Sequence, residues 1–141
     1  MRVDDKSRNW IYDRTNGRCH LCGKKLSFQN YARPGEKGAW EIEHSRPRAR
    51  GGTDYLRNLL PACIRCNRSK RTTTSRTVRG WNGRKRAPLS REKKAEVRKS
   101  NAVVGATAGT ILGALIAGPV GSVLGGAIGL AIGHRRDPDF E

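Results

Sequence analysis

The sequence predicts an α+β fold in a small front domain, followed by a basic linker and an α-helical hairpin. Three observations lead to this prediction. The stretch Ala39 to Ser45 alternates apolar and polar residues, as a half-buried strand does. Far downstream, Ala102 to Gly133 contains no charged residue and carries glycine at every fourth position over most of its length. Two Cys-x-x-Cys pairs flank the strand-like stretch: Cys19/Cys22 and Cys63/Cys66.

The bulk composition limits the size of the front core and the kind of partner. The chain has 141 residues, only 35% of them hydrophobic, and a formal net charge of +17. A core built from so few apolar residues usually needs a covalent or metal staple. The charge favours a polyanion as partner, either nucleic acid or an anionic membrane surface. A merely solvated basic surface is disfavoured, because mixed-sign surfaces serve solubility without such self-repulsion.

The four cysteines are the candidate staple, as a Zn²⁺ site or as disulfides. The stretch Met1 to Trp10 is polar and has no apolar core of a cleavable secretory signal, so we expect a reducing first environment. Two residues between the thiols of each pair suit tetrahedral coordination. We therefore predict a structural zinc site rather than disulfides.

The first elements in chain order are a helix and a loop. Asp4 to Asn16 is predicted to be a short helix that stops at Asn16-Gly17, a pair that readily adopts left-handed backbone. In the following Cys-x-x-Cys we expect His20 to be solvated and not a ligand. Residues Lys24 to Gly38 are predicted to form a loop, with Phe28 and Tyr31 packed back on the core.

The strand-like stretch opens the centre of the domain. His44 is expected near the strand end, facing away from Glu43. A basic loop, Arg46 to Arg57, should lead to a second short strand near Asn58 to Leu60 that Pro61 limits. A helix is then predicted from about Cys63 to Arg71.

The chain after the second cysteine pair is strongly basic. It is predicted to be a polyanion-binding linker that ends in a helix, Ser90 to Ser100, with Ser90 as N-cap. Trp81 within it is either a surface on which a base stacks or a partly buried linker residue. We accordingly divide the chain into a front domain, a basic linker and helix, a hydrophobic hairpin and a charged tail: 1–75, 76–101, 102–133 and 134–141.

The glycine pattern in Ala102 to Gly133 is a small-xxx-small stripe, which lets helix backbones touch inside a bilayer. Gly118-Pro119 divides it into helices of about 24 Å and about 21 Å, each short against a hydrocarbon core of about 30 Å. We predict a glycine-zipper hairpin that dips into the bilayer, with basic residues keeping both ends on the cytoplasmic side, or several copies assembled through their glycines. The alternative is a soluble hairpin packed on another protein.

The order of motifs between Trp40 and Lys70 resembles the HNH endonuclease family. Glu43-His44 is followed by Pro47, Gly51-Gly52, Asn58-Leu59 and the Cys-x-x-Cys-Asn that ends at Asn67. The resemblance covers about half of the chain, roughly residues 6 to 72. It implies a ββα-metal fold of the zinc-stapled subtype, in which the four cysteines hold a closed structural Zn²⁺.

The resemblance also implies roles for individual residues. His44 would be the general base, and Asn58 would hold the loop that orients it. Glu43 and Asn67 would bind the catalytic divalent cation, Mg²⁺ or Mn²⁺, as hard oxygen donors. Glu43 stands where many family members have aspartate, and its extra methylene shifts the oxygen. The residues expected to contact DNA phosphates are basic: Arg46, Arg48, Arg50, Arg68, Lys70 and Arg71.

The function predicted from these features is metal-dependent DNA cleavage of low sequence specificity. The hydrophobic segment suggests a nuclease toxin or antiphage defence effector that associates with a membrane through 102–133 or is delivered to a target cell, and that acts on DNA in the cytoplasm. A toxin implies an acidic immunity protein as partner, and the glycine stripe implies self-association. The alternatives are a non-catalytic zinc module that binds nucleic acid at a membrane, and a soluble phage or homing HNH nuclease.

Overall fold

The structure is a computed structural model that describes residues 3–135, except the side chains at 109, 113, 114, 116–121, 125 and 133–135. The chain forms two compact units that divide between Arg91 and Glu92. The helices and strands, in chain order, are α1 (Asp5–Asp13), β1 (Trp40–His44), β2 (Leu59–Cys63), α2 (Ile64–Lys70), α3 (Ser75–Trp81) and α4 (Arg91–Arg135). The predicted α+β class is confirmed. Of the predicted tail 134–141, residues 136–141 lie outside the described residues.

Helix α1 begins and ends where its sequence provides caps. The Asp4 carboxylate accepts a hydrogen bond from the Ser7 amide at 3.2 Å, which satisfies one of the free N–H groups of the first turn. After the helix, Asn16 and Gly17 have φ values of 53° and 66°, so the chain turns in left-handed backbone. The fully buried Ile11 fixes the helix against the rest of the unit.

The core of the first unit is built around Trp40, which is fully buried. Three rings surround it, with centroid distances of 4.9 Å to Tyr31, 5.2 Å to Tyr12 and 6.4 Å to Phe28. Tyr12 keeps its hydroxyl satisfied by donating to the carbonyl of Leu26 at 2.8 Å. Phe28 and Tyr31 pack against this core, as predicted.

The two strands pair antiparallel in one register, with Trp40 opposite Cys63 and His44 opposite Leu59. The prediction that Pro61 limits the second strand is wrong, because β2 continues through it to Cys63. The carbonyl of Pro61 accepts a hydrogen bond from the His20 amide at 2.9 Å, and so points away from β1. The nitrogen of Pro61 faces the same outer edge, where no ladder bond to β1 is required of it.

The first unit extends beyond residue 75, where the predicted domain ended. A third helix, α3, lies in the segment expected to be a linker. Thr74 caps it by accepting from the Thr77 amide at 3.3 Å, and Ser75 and Val78 are buried. Val78 belongs to the same apolar cluster as Trp40.

Within the described residues, the second unit consists of α4 after its first residue. Helical structure continues through Gly118-Pro119, yet the chain reverses direction. A Cβ built on Gly129 would overlap the carbonyl oxygen of Gly105, and one built on Gly126 would lie 2.7 Å from Thr110 Oγ1. A straight helix would hold Gly105 and Gly129 about 36 Å apart. The two parts of α4 therefore lie side by side at these glycines. No helix in the described part of the chain is long and apolar enough to cross a membrane.

The Gly-Gly turn between the strands gives a first testable prediction. A Cβ on Gly52 would overlap the Arg46 carbonyl oxygen and lie 2.6 Å from its carbon, both backbone atoms. Gly52→Ala is therefore expected to lower the free energy of unfolding by about 1–3 kcal/mol, measured by urea unfolding of the full chain.

The matched control is Gly80→Ala, in the last turn of α3. A Cβ there meets nothing within 4 Å, and the backbone is helical. This variant should be neutral or more stable by about 0.5–1 kcal/mol. Equal effects of the two alanines would contradict the packing assigned to Gly52.

Candidate active site

The four cysteines converge at one point of the first unit. Their Sγ atoms all lie within 4.8 Å of one another, and those of Cys22 and Cys63 are 3.9 Å apart. Four thiolates at about 2.3 Å from a tetrahedral zinc would be about 3.8 Å apart, so the cluster fits Zn²⁺. All four are free thiols, which excludes disulfides in this structure.

The chain shapes the first cysteine pair through backbone hydrogen bonds. The Cys19 amide donates to the Lys24 carbonyl at 2.8 Å, and the Gly23 amide donates to the Cys19 carbonyl at 2.8 Å. Gly23 has φ = 77°, the left-handed backbone that this tight turn requires. The second pair comes from the end of β2 and the first turn of α2. A metal at this point therefore joins the loop after α1 to the strand-helix junction.

Glu43 lies on β1 in a buried polar network, only 3% exposed. Its Oε2 is 2.5 Å from His20 Nε2, and its Oε1 is 2.5 Å from Lys70 Nζ. The Ser75 hydroxyl donates to Oε2 at 3.5 Å. Glu43 is thus bound by the first cysteine loop, by α2 and by α3.

The network contradicts two expectations. His20 is fully buried, so the prediction of a solvated residue is wrong. Lys70 is 2% exposed, with Nζ on Glu43 and on the His44 carbonyl at 3.0 Å. The prediction that Lys70 contacts DNA phosphates is therefore wrong, because its ammonium group is enclosed by its partners.

The protonation state of His20 follows from its neighbours. The Arg79 guanidinium, which can only donate, is 3.5 Å from Nδ1, so Nδ1 accepts and Nε2 carries the proton that is donated to Glu43. Burial lowers the pKa of His20, which favours this neutral ring. Burial raises the pKa of Glu43, but the hydrogen bonds from His20 and Lys70 outweigh it and hold that pKa below its usual value.

His44 stands at the end of β1, with its side chain 18% exposed. Its Nε2 is 2.7 Å from Asp54 Oδ1. Arg48 binds both carboxylate oxygens of Asp54, at 2.7 and 2.8 Å. Because an ionised carboxylate can only accept, His44 Nε2 carries the proton and donates it to Asp54. The Nε of Arg48 is 3.0 Å from Asp54 and 3.3 Å from His44 Nε2, so it also donates to Asp54. The hydrogen bond from His44, with Arg48, lowers the pKa of Asp54.

Asp54 is a residue that the sequence analysis missed. It is the single acidic residue in the basic stretch Arg46 to Arg57. One carboxylate in so basic a loop, ten residues after a candidate base, was the available signal.

Asn58 closes the loop between the strands. Its Oδ1 accepts from the Arg46 amide at 2.8 Å, while its Nδ2 donates to the carbonyls of Arg46 at 3.1 Å and Thr53 at 2.8 Å. Its own carbonyl accepts from the Ser45 amide at 2.8 Å. These bonds tie both sides of the loop together next to His44.

Asn67 is hydrogen-bonded to Glu41, whereas the predicted partner in binding the cation is Glu43. Its Nδ2 donates to Glu41 Oε2 at 2.7 Å, and Arg68 reaches Glu41 Oε1 at 3.4 Å. Glu41 lies two residues before Glu43, on the same side of β1. Among the contacts of the described residues, none joins Asn67 directly to Glu43.

The remaining residues predicted to contact DNA lie at the surface. They are exposed side chains of the loop and of the end of α2: Arg46, Arg48, Arg50, Arg68 and Arg71. Trp81, at the end of α3, is 68% exposed, so it is not the partly buried linker residue of the second interpretation.

Residues 19–73 match the family model described as HNH endonuclease. The HNH domain contains both cysteine pairs, both strands and α2. The CRISPR-associated endonuclease Cas9 of Corynebacterium diphtheriae is 37% identical over 68 residues, which are 45% of this chain and 5% of that protein. No solved structure matches the chain significantly.

These matches support an endonuclease domain of the HNH type at residues 19–73. The chain covers a small fraction of the length of the relative, so the likeness concerns the HNH domain alone. The cysteine cluster lies within this domain, and divalent metals are the cofactors of such nucleases.

Metal content tests the cysteine cluster. Because structural zinc contributes directly to folding, we expect the purified full chain to hold one Zn²⁺ and to lose its cooperative thermal transition when a strong chelator removes it. Cys66→Ser should lower the zinc content measured by mass spectrometry and the Tm.

A control on the same helix is Ser69→Ala, whose hydroxyl bonds only to backbone carbonyls of α2 in the described structure. It should retain both zinc and Tm. A zinc-free wild type that unfolds cooperatively, or one whose mass shows disulfides, would reject the zinc site.

Proposed function

We propose that this chain is a metal-dependent DNA endonuclease of low sequence specificity in which His44 is the general base. The observation that carries the proposal is the pairing of His44 with Asp54 at the partly exposed end of β1. With the ring proton on Nε2, the lone pair of the neutral ring is on Nδ1, which accepts the proton of the attacking water. Asp54 orients the ring and stabilises the imidazolium that forms.

Asn58 supports the same proposal, because catalysis by a positioned base depends on geometry. The loop between the strands carries Arg48 and Asp54, and it meets the end of β1 through the bonds of Asn58. In this proposal Asn58 is a positioning residue that acts through the loop on His44.

Glu43 and Asn67 are the proposed ligands of the catalytic cation. Oε1 of Glu43 has Lys70 as its partner and retains a second lone pair, and Asn67 binds Glu41 through Nδ2, which leaves Oδ1 as an acceptor. These hard oxygen donors fit Mg²⁺ or Mn²⁺. When bound, the cation supplies positive charge for the phosphate and the leaving oxygen in the transition state.

The proposed substrate is the DNA backbone. The exposed arginines at the loop and at the end of α2 offer charge for phosphates, and this kind of contact gives affinity and salt dependence without base selection. Arg48 remains in this proposal, although Asp54 neutralises part of its charge. The exposed ring of Trp81 adds a face on which an unpaired base can stack.

Plasmid cleavage by the full chain tests the proposal. In Mg²⁺ or Mn²⁺, the wild type should nick or linearise supercoiled plasmid, and EDTA should abolish cleavage. His44→Ala should lower the rate by at least about a hundredfold, because a general base contributes roughly 10²–10⁴. Lys37→Ala, which removes an exposed charge elsewhere in the unit, should cut like the wild type.

Two results would contradict the proposed function. Cleavage by His44→Ala at the wild-type rate would show that His44 is not the general base. Failure of a folded, zinc-loaded wild type to cut in either metal would favour the non-catalytic zinc module that binds nucleic acid.

The proposal includes a lipid surface as partner of the glycine-zipper segment 102–133. Large aliphatic side chains there are 50–79% exposed: Val103, Val104, Ile111, Leu112, Leu115, Val123, Leu124, Ile128, Leu130 and Ile132. The contact of Gly129 with Gly105 supports a hairpin whose glycines face each other and whose large side chains point outward. This distribution is typical of helices that pack in lipid.

The distribution of charge in the sequence also supports a lipid surface as the partner of segment 102–133. The segment contains no charged residue, and basic residues precede and follow it in the sequence. Such flanks favour anionic headgroups. A lipid-bound nuclease is the basis for proposing a delivered toxin or a membrane-associated antiphage effector. An acidic immunity protein is the partner that the toxin form of the proposal requires.

Vesicle binding tests the lipid partner. The full chain should co-sediment with phosphatidylglycerol-containing vesicles. Leu115→Ser should weaken this binding by about tenfold to a hundredfold, since burying one leucine is worth about 1.5–3 kcal/mol. Thr107→Ser keeps a hydroxyl on the same segment and should bind like the wild type. If the chain does not co-sediment with vesicles but forms a stable oligomer by light scattering, the partner of the apolar surface is a second copy of the chain instead.

A further inference from the structure

His20 occupies a position that zinc binding does not explain. It lies between Cys19 and Cys22, in a turn whose side chains usually face solvent, yet none of its surface is exposed. Its Nε2 is 2.5 Å from Oε2 of Glu43, a proposed ligand of the catalytic cation. A residue of the zinc loop therefore touches the cation site directly.

Contacts of the backbone and of the ring together fix the position of His20. The His20 amide donates to the Pro61 carbonyl on β2 at 2.9 Å. Arg79 on α3 donates to Nδ1 at 3.5 Å, so Nε2 is the nitrogen that carries the proton. The turn around His20 is closed by the neighbouring cysteines, whose thiols gather with those of β2 and α2.

The two oxygens of the Glu43 carboxylate have different partners. Lys70 Nζ binds Oε1, and His20 Nε2 binds Oε2. The bond from His20 therefore fixes the rotation of the carboxylate, and with it the direction in which Oε1 faces.

We propose that His20 is a positioning residue of the cation site, which holds Glu43 in the orientation that binds the catalytic metal and makes that orientation depend on the zinc loop. The proposal rests on the proposed function for the identity of the cation. It assigns the first cysteine pair a second task beyond holding a structural metal: the turn between the cysteines fixes His20, and His20 fixes the carboxylate.

Binding of Mn²⁺ to the full, zinc-loaded chain tests this coupling without requiring cleavage. His20→Leu removes the donor and should weaken Mn²⁺ binding, measured by calorimetry or electron paramagnetic resonance, by about tenfold to a hundredfold. His20→Gln retains an N–H donor and should recover part of the affinity. Leu21→Met perturbs the packing of the same loop without touching Glu43, and should bind Mn²⁺ like the wild type.

The hydrogen bond itself has a spectroscopic readout that is independent of activity. Nitrogen-15 NMR of the wild type should find a proton on His20 Nε2 that is shifted downfield by the carboxylate. Glu43→Gln should move this proton upfield. The measurement remains informative where His20→Leu fails to fold or to retain zinc.

Three results would overturn the inference. The first is wild-type Mn²⁺ affinity in folded, zinc-loaded His20→Leu. The second is an Nε2 proton that does not respond to Glu43→Gln. The third is equal loss of Mn²⁺ binding in His20→Leu and Leu21→Met, which would assign His20 to packing alone. If the chain binds Mn²⁺ as expected but cuts no DNA, the proposed function fails and the positioning role stands.

Discussion

The convergence of four thiols is the constraint on which the rest of the first unit depends. The core behind the sheet is small, with Trp40 and a ring of aromatic residues supplying most of its bulk. A two-stranded sheet is marginal in water without further packing. A metal held by both cysteine pairs would add a fixed junction between the loop after α1 and the start of α2. His20, which reaches the network around Glu43, belongs to that loop.

A contribution to folding stability does not explain well why Glu43 and Lys70 form a buried ion pair. Burying two charges costs several kcal/mol each, and well-packed apolar residues of similar size often serve a core equally well. Both groups are nonetheless almost fully buried here and accompanied by a neutral histidine and a serine hydroxyl. A carboxylate kept ionised and oriented at such cost is typical of a site that needs a negative charge at a fixed point. The metal-ligand role proposed for Glu43 supplies that need.

The sequence predicted most of what local chemistry controls. The period-two pattern located β1, the Asp4 cap and Asn16-Gly17 bounded α1, and the cysteine spacing identified the cluster. The sequence-based predictions were wrong where tertiary contacts determine the structure. Pro61 terminates a strand only when its missing amide faces a partner strand, and here it faces the outer edge.

The same limit applies to the residues that the sequence misjudged in the site. Lys70 has the charge of a phosphate ligand, but the burial that makes it a partner of Glu43 is set by how α2 packs on β1. Helix α3 carries too few apolar residues for a periodic signal. Its start is set by the Thr74 cap, and its place by the burial of Ser75 and Val78. His20 becomes a partner of Glu43 only when two segments 23 residues apart in sequence come together.

The distribution of rigidity in the HNH domain follows from these contacts. The carboxylate proposed to bind the cation lies in the interior, fixed by three elements, whereas the proposed base lies at a partly exposed strand end. Asp54, the partner of His44, is itself half exposed and is held by Arg48 within the same loop. Hydrogen bonds between the Asn58 side chain and the loop backbone therefore hold this outer pair in place relative to the interior. In the proposed nuclease this arrangement suits both needs, because the phosphate approaches from solvent while the metal ligand stays fixed. The proposed base lies at the partly exposed strand end, and its orientation is supplied by hydrogen bonds rather than by burial.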